Sequence, residues 1–172
     1  MKEPPKYAFF DLDHTILPQD TQALFARFVM TKQPWRRVYL LWYLPCLLPG
    51  GLKLFDLRLM KRIFFSYLFG IDKKQLMGYV DEFVVTVVPE VAYPDIVEEI
   101  ERLKSEGYTM ILNSASPEFY VEQIAQHFGF DHYIGTNLIL EDKMPWLPQI
   151  TGPNNKKAEK ITAMQELSLI HI

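Results

Sequence analysis

Phe9-Phe10-Asp11-Leu12-Asp13-His14-Thr15-Ile16-Leu17 decides how the rest of this 172-residue chain is read. The run Tyr7-Ala8-Phe9-Phe10 that leads into it is short and apolar, as expected of a fully buried strand. Asp11, Asp13 and Thr15 then fall on alternate positions. Alternate residues of an extended chain face the same way, so the spacing predicts that both carboxylates leave the strand tip together. Carboxylates held that close repel each other unless a cation lies between them. An acidic turn after a strand would account for the aspartates, but not for their shared face or for the Thr.

The length bounds the chain to one domain with room for an inserted subdomain. Apolar residues make up 49% and charged residues 23%, which is ample material for an ordinary globular core. The net charge of −3 by itself favours no partner class, and nothing in it calls for nucleic acid. Its distribution says more. Lys32, Arg36, Arg37, Lys53, Arg58, Lys61 and Arg62 face Asp56 alone across residues 31–70, so the rest of the chain is strongly acidic. The single Cys46 excludes an intramolecular disulfide and fits a reducing compartment. Only four apolar residues lie between Lys6 and Asp11, too few for a secretory signal, and a cytoplasmic protein is expected.

Pattern reading gives a turn at Pro18-Gln19-Asp20 and a helix over residues 21–30. Residues 38–48 are uncharged for eleven positions and end at Pro49-Gly50-Gly51. That is too short to span a bilayer and suits a buried or interfacial segment. Further helices are predicted over 52–69 and 73–87, closed by Pro89. Ile96, Ile100 and Leu103 then share a helical face opposite Glu98, Glu99, Glu101, Arg102 and Lys104, with Gly107 as the stop. Residues 108–113 read as a strand ending at Ser114. Ser116 is placed as the cap of the next helix, Pro117 at its first position and Gly129 at its end. A short strand near Tyr133-Ile134, a hairpin over 137–150 and a helix from Asn155 complete the alternation. Such an order argues for an open parallel sheet with helices on both faces, whose ligands sit beyond the carboxyl ends of the strands. Asp11, Asp13 and Ser114 all fall there.

These motifs resemble the haloacid dehalogenase-like (HAD) superfamily, in its phosphoserine phosphatase-like branch, subfamily IB. Phe10-Asp11-Leu12-Asp13-His14-Thr15 is similar to the first motif of that family and Ile111-Leu112-Asn113-Ser114 to the second. Gly152-Pro153-Asn154 through Glu159-Lys160-Ile161 is similar to the third, with Lys160 in the best register and Lys156 as the alternative. The resemblance implies an α/β, Rossmann-like parallel sheet in residues 1–20 and 88–166, interrupted by a helical cap over 21–87. It implies Asp11 as a nucleophile that becomes phosphorylated and Asp13 as the acid and base that serves the leaving group and then water. Ser114 would donate to the phosphoryl oxygens and Lys160 would neutralise charge. Mg²⁺ would be held by the Asp11 carboxylate and the Asp13 main-chain carbonyl. Thr15 is expected to brace the loop. His14 occupies a place often held by Gly, and a surface or packing role is expected for it.

The expected partner is a phosphorylated molecule, either a small phosphomonoester such as phosphoserine or a lipid phosphate such as phosphatidylglycerophosphate. Aromatic residues among the basic groups of the cap either form its own small core or make an interfacial face for an anionic membrane, which would place the protein at the inner membrane surface. A non-catalytic phosphate-binding or scaffolding protein of the same fold is the alternative, although paired aspartates without a metal do not help hold phosphate. Residues 167–172 match the translation of a sequencing-library adapter end, so the natural chain is expected to be interrupted at Glu166. The fourth motif, which adds an acidic metal ligand, would then be missing, and this chain is expected to bind Mg²⁺ weakly and turn over poorly.

Overall fold

The computed structural model describes residues 6–51 and 56–151, with no side-chain description for residues 47–51. The stretch around Gly152 to Ile161, with Lys156, Lys157 and Lys160, the helix expected from Asn155 and the tail 167–172 therefore lie outside the described residues. Strand β1 (Tyr7–Phe10) pairs in parallel with β2 (Thr109–Pro117), and β2 in parallel with β3 (His132–Leu138). Strand β4 (Ile150–Thr151) returns antiparallel to β3 and closes the expected hairpin. The sheet order is β1-β2-β3-β4.

Between β1 and β2 the chain is helical: α1 (Thr21–Lys32), α2 (Val38–Gly51), α3 (Leu57–Phe64), α4 (Lys73–Thr86), α5 (Val88–Val91) and α6 (Pro94–Ser105). Helix α7 (Glu118–Phe128) joins β2 to β3. One continuous core links this helical segment to the sheet. Phe25 of α1 is its hub, meeting Phe83 of α4 at 5.2 Å and Phe119 and Tyr120 of α7 at 5.9 and 5.3 Å.

Several elements depart from the pattern reading for identifiable reasons. Pro49 does not break α2, which runs through it to Gly51, because a proline removes one donor while the rest of the ladder carries the helix on. The helix expected over 52–69 is regular only as α3, and its last turn tightens into a 3₁₀ turn at Phe65–Leu68. Pro89 sits in the first turn of the short α5 instead of closing the block, since a first-turn residue needs no N–H donor. Gly107 does end α6: at φ +78° it lets Tyr108 N–H reach the Leu103 carbonyl at 3.1 Å and its own N–H reach Lys104 at 3.0 Å.

The main correction concerns β2, which runs past Ser114 to Pro117. Asn113 pairs with Ile134 and Pro117 with Thr136, so β2 spends four steps where β3 spends two. The two extra residues form a bulge, the device that re-aims side chains in a strand. Pro117 is therefore the residue before α7, not its first, and Ser116 makes no helix cap.

Gly135 lies on β3 opposite this bulge. A Cβ there would come 2.7 Å from Glu118 Cα, so the start of α7 rests directly on the β3 backbone. Gly135→Ala is expected to cost about 1–3 kcal/mol of stability, because backbone and not a flexible side chain must move. Chemical denaturation of the two proteins measures it.

Candidate active site

Strand β1 ends at Phe10, and the next residues turn at once. The Leu12 carbonyl accepts from Ile16 N–H at 3.1 Å and Leu17 N–H at 3.0 Å. Leu12, Ile16 and Leu17 are fully buried, which pins this turn to the core, while Asp11 and Asp13 on either side of Leu12 are half-buried. The alternation argument for the two carboxylates thus does not apply as an extended strand would have it. His14 is the reason the turn can close. Its φ is +59°, the left-handed region that favours glycine, and its exposed ring meets the Pro18 carbonyl at 3.1 Å. The Gly-like position noted in the sequence is a backbone requirement. His14→Val is expected to lose about 1–2 kcal/mol and His14→Gly to lose less, as thermal unfolding can show.

The Asp13 carboxylate is held on both oxygens. Oδ1 accepts from Thr21 N–H at 2.7 Å and from the Thr21 hydroxyl, and Oδ2 accepts from Ser116 Oγ at 3.1 Å. Thr21 is the first residue of α1, so the carboxylate sits at that helix's N-terminus, where its dipole favours negative charge. Asp20 caps the same helix by accepting from Ala23 N–H at 3.1 Å. On the other side, Ser116 N–H donates to Ser114 Oγ at 3.0 Å. Ser114 and Ser116 are both fully buried. Asp13 and Ser114 are therefore joined through Ser116, across 103 residues of sequence between Asp13 and Ser116. The Asp11 carboxylate accepts from Leu12 N–H at 2.9 Å. By the β1–β2 register Phe10 pairs with Leu112, so Asp11 follows at the end of the strand next to the one carrying Ser114.

Sequence reasoning did not assign Thr21, Ser116 or Lys61 to this region. Lys61 of α3 donates to the Ala115 carbonyl at 2.6 Å and to Thr136 Oγ1 at 3.2 Å, tying the helical segment to the bulge and to β3. It also lines a cavity of about 440 Å³ with Asp20, Tyr43 and Phe64. The signal for Ser116 was present as a second Ser two residues beyond Ser114, but a helix cap explained it equally well.

Beneath the site lie two fully buried phenols, Tyr67 and Tyr120. Burial pushes both far above the ordinary tyrosine value; for Tyr120 the neighbouring Ser116 hydroxyl pulls the other way. A phenol that resists ionisation only in the folded state adds stability that is whole below the unfolded value near pH 10 and is lost as pH rises further. The unfolding midpoint should therefore hold to about pH 9 and fall above about pH 10. Tyr67→Phe should make that fall shallower in a pH series of thermal melts.

With this geometry in place, comparison with known proteins gives the class. The chain belongs to the haloacid dehalogenase-like hydrolase family, whose model matches residues 8–171. A protein called CicA from Caulobacter vibrioides is 28% identical over 102 residues, which are 59% of this chain and 46% of that protein. The match thus spans about half the length of the curated relative. A solved protein of unknown function from Bordetella pertussis Tohama I superposes with a TM-score of 0.78 at 20% identity, over 96% of this chain and 74% of that one. A substrate-bound phosphoserine phosphatase gives 0.65 at 16%, over 99% and 73%. A phosphoserine phosphatase carrying a phospho-aspartyl intermediate analogue gives 0.63 at 17%, over 98% and 73%. At these identities the structural likenesses establish the fold alone.

Proposed function

We propose that this protein is a Mg²⁺-dependent phosphomonoester hydrolase of the phosphoserine phosphatase-like branch that works through a phosphorylated Asp11. The observation that carries the reading is the Ser116 bridge. It seats Asp13, from the loop after β1, against Ser114 in the bulge of the neighbouring strand, toward the sheet end where ligands of open α/β sheets lie. The names of the solved neighbours, several of them phosphoserine phosphatases, support the same chemistry.

In this reading Asp11 attacks phosphorus. Asp13, held ready by Thr21 and Ser116, would give a proton to the leaving oxygen and later take one from water once one of its oxygens is released from these donors. The Ser114 hydroxyl donates to the phosphoryl oxygens. Lys160, or Lys156 in its place, supplies the balancing positive charge from outside the described residues. Among the described residues no three His, Cys, Asp or Glu side chains gather as a metal site. The hard oxygens of the Asp11 carboxylate and the Asp13 main chain nonetheless suit Mg²⁺, and the Asp13 carboxylate is already taken by its three donors. When bound, the ion would neutralise charge between nucleophile and phosphate. The substrate is a small phosphomonoester or a lipid phosphate. The lone Cys46 fits a cytoplasmic setting.

Hydrolysis of p-nitrophenyl phosphate with excess Mg²⁺ tests this, beside acid-quench trapping of labelled phosphate on the protein. Asp11→Asn should abolish both turnover and trapped phosphate. Asp13→Asn should lower turnover about 10²- to 10⁴-fold, the range for losing a general acid and base. Chelation of Mg²⁺ should stop the reaction reversibly. Because poor turnover is expected of this chain, the trapped phosphate decides: phosphate binding that survives Asp11→Asn, with none trapped on the parent protein, would favour the non-catalytic alternative.

A further inference from the structure

Helix α2 carries no charged residue along its 14 positions, and most of its described side chains lie at the surface. Tyr39 is buried and Tyr43 and Cys46 are half-buried, whereas Val38, Leu41, Trp42 and Leu44 are 53, 67, 53 and 56% exposed. Around it the aromatics are continuous. Trp146, from the loop before β4, meets Tyr39 at 5.4 Å, Phe69 at 5.5 Å and Trp42 at 6.0 Å, and Trp35 meets Tyr39 at 5.9 Å. A helix apolar on all sides is ordinarily covered by a core or by lipid, and a contiguous exposed apolar patch marks an interaction surface.

Charge says what covers it. Of the basic side chains in residues 31–70, Arg36 is buried, Lys32 pairs with Glu82, and Lys61 and Arg62 bond main-chain carbonyls, which leaves the arginines next to the helix to set the charge of this face. Arg37, directly before α2, and Arg58, on α3, are exposed. A second copy docked through the same face would set like charges against each other across a two-fold axis. An anionic bilayer meets both demands, with acyl chains for the apolar face and headgroups for the arginines. Tryptophan is enriched at that boundary. Fourteen residues make a helix of about 21 Å, too short to cross the hydrocarbon core. No described helix is long and apolar enough to cross a membrane.

We propose that α2, with the Trp35, Trp42 and Trp146 surface, lies in the plane of an anionic lipid bilayer and docks the protein there. Tyr43, on another side of the same helix, lines the cavity with Asp20 and Lys61, so docking brings that cavity to the headgroup layer. That the docked protein acts on a phosphate borne by a lipid rests on the phosphatase reading; the docking does not.

Sedimentation of the full chain with vesicles of equal parts phosphatidylcholine and phosphatidylglycerol, against phosphatidylcholine alone, is the test. Tryptophan emission is followed in parallel. The expected result is binding to the anionic vesicles with a blue shift in emission, weakened by salt. Leu41→Glu should weaken binding about tenfold and Arg37→Gln about fivefold, each with unchanged circular dichroism because both positions are exposed. The proposal is overturned if the wild-type chain ignores anionic vesicles, or if both variants bind as well as it does. It is also overturned if emission shifts with protein concentration in the absence of lipid, which assigns the face to a second copy. Turnover of soluble p-nitrophenyl phosphate by Leu41→Glu separates the two readings: docking can fail while catalysis stands, and binding can be seen where catalysis is absent.

Discussion

The Asp13 carboxylate is the point on which the arrangement hangs. Donors reach it from Thr21 at the start of α1 and from Ser116 in β2, so a single side chain fixes the first helix and the second strand relative to the loop after β1. Hydrogen bonds to a charged acceptor are stronger than neutral ones, and half-burial sharpens their cost if lost. The contact also spans most of the distance between the two motifs in the chain. The fold brings them together through parallel β1–β2 pairing, and the hydrogen bonds to Asp13 set the final ångström.

What frees Asp13 for that role is the apolar grip on its neighbours. Leu12, Ile16 and Leu17 are fully buried, and the Leu12 carbonyl gathers the N–H groups that close the turn. Acidic residues in the loop therefore need not supply their own rigidity. The helical segment contributes in the same way: Phe25 on α1 packs on α4 and α7 at once, so the helix whose N-terminus holds Asp13 is itself anchored in the shared core.

The parallel α/β architecture was legible in the sequence because burial and periodicity write it plainly. The amphipathic face of Ile96, Ile100 and Leu103 and the stops at Gly107 and Gly129 reappear in the structure. Tyr7–Phe10 is a strand, but not the fully buried one expected: only Ala8 is buried and Phe9 is 39% exposed, because β1 lies at the edge of the described sheet. The bulge in β2 was not legible. Nothing in Asn-Ser-Ala-Ser-Pro distinguishes a strand that ends and a helix that is capped from a strand that runs on with two residues to spare. That difference depends on pairing with β3, which is non-local. Proline was over-read for a related reason: its lost N–H costs little at Pro89, in a first turn, and at Pro49 the rest of the helical ladder remains. Of the candidate residues, Asp11 and Asp13 fall in the loop just after β1, Ser114 lies inside β2 at its bulge and not at the strand end expected for it, and the lysine lies outside the described residues.

The bulge carries one more implication. Where β2 leaves register, its main chain is served by side chains: Lys61 and Thr136 donate to the Ala115 carbonyl, and Ser114 accepts from the Ser116 amide. A ladder of peptide groups persists under almost any substitution, but these bonds vanish with the residues that make them. Two proteins can thus share every strand and helix described and still differ in how firmly this corner is seated. Overall superposition is blind to that difference; the identities at positions 61, 114, 116 and 136 are where it is written.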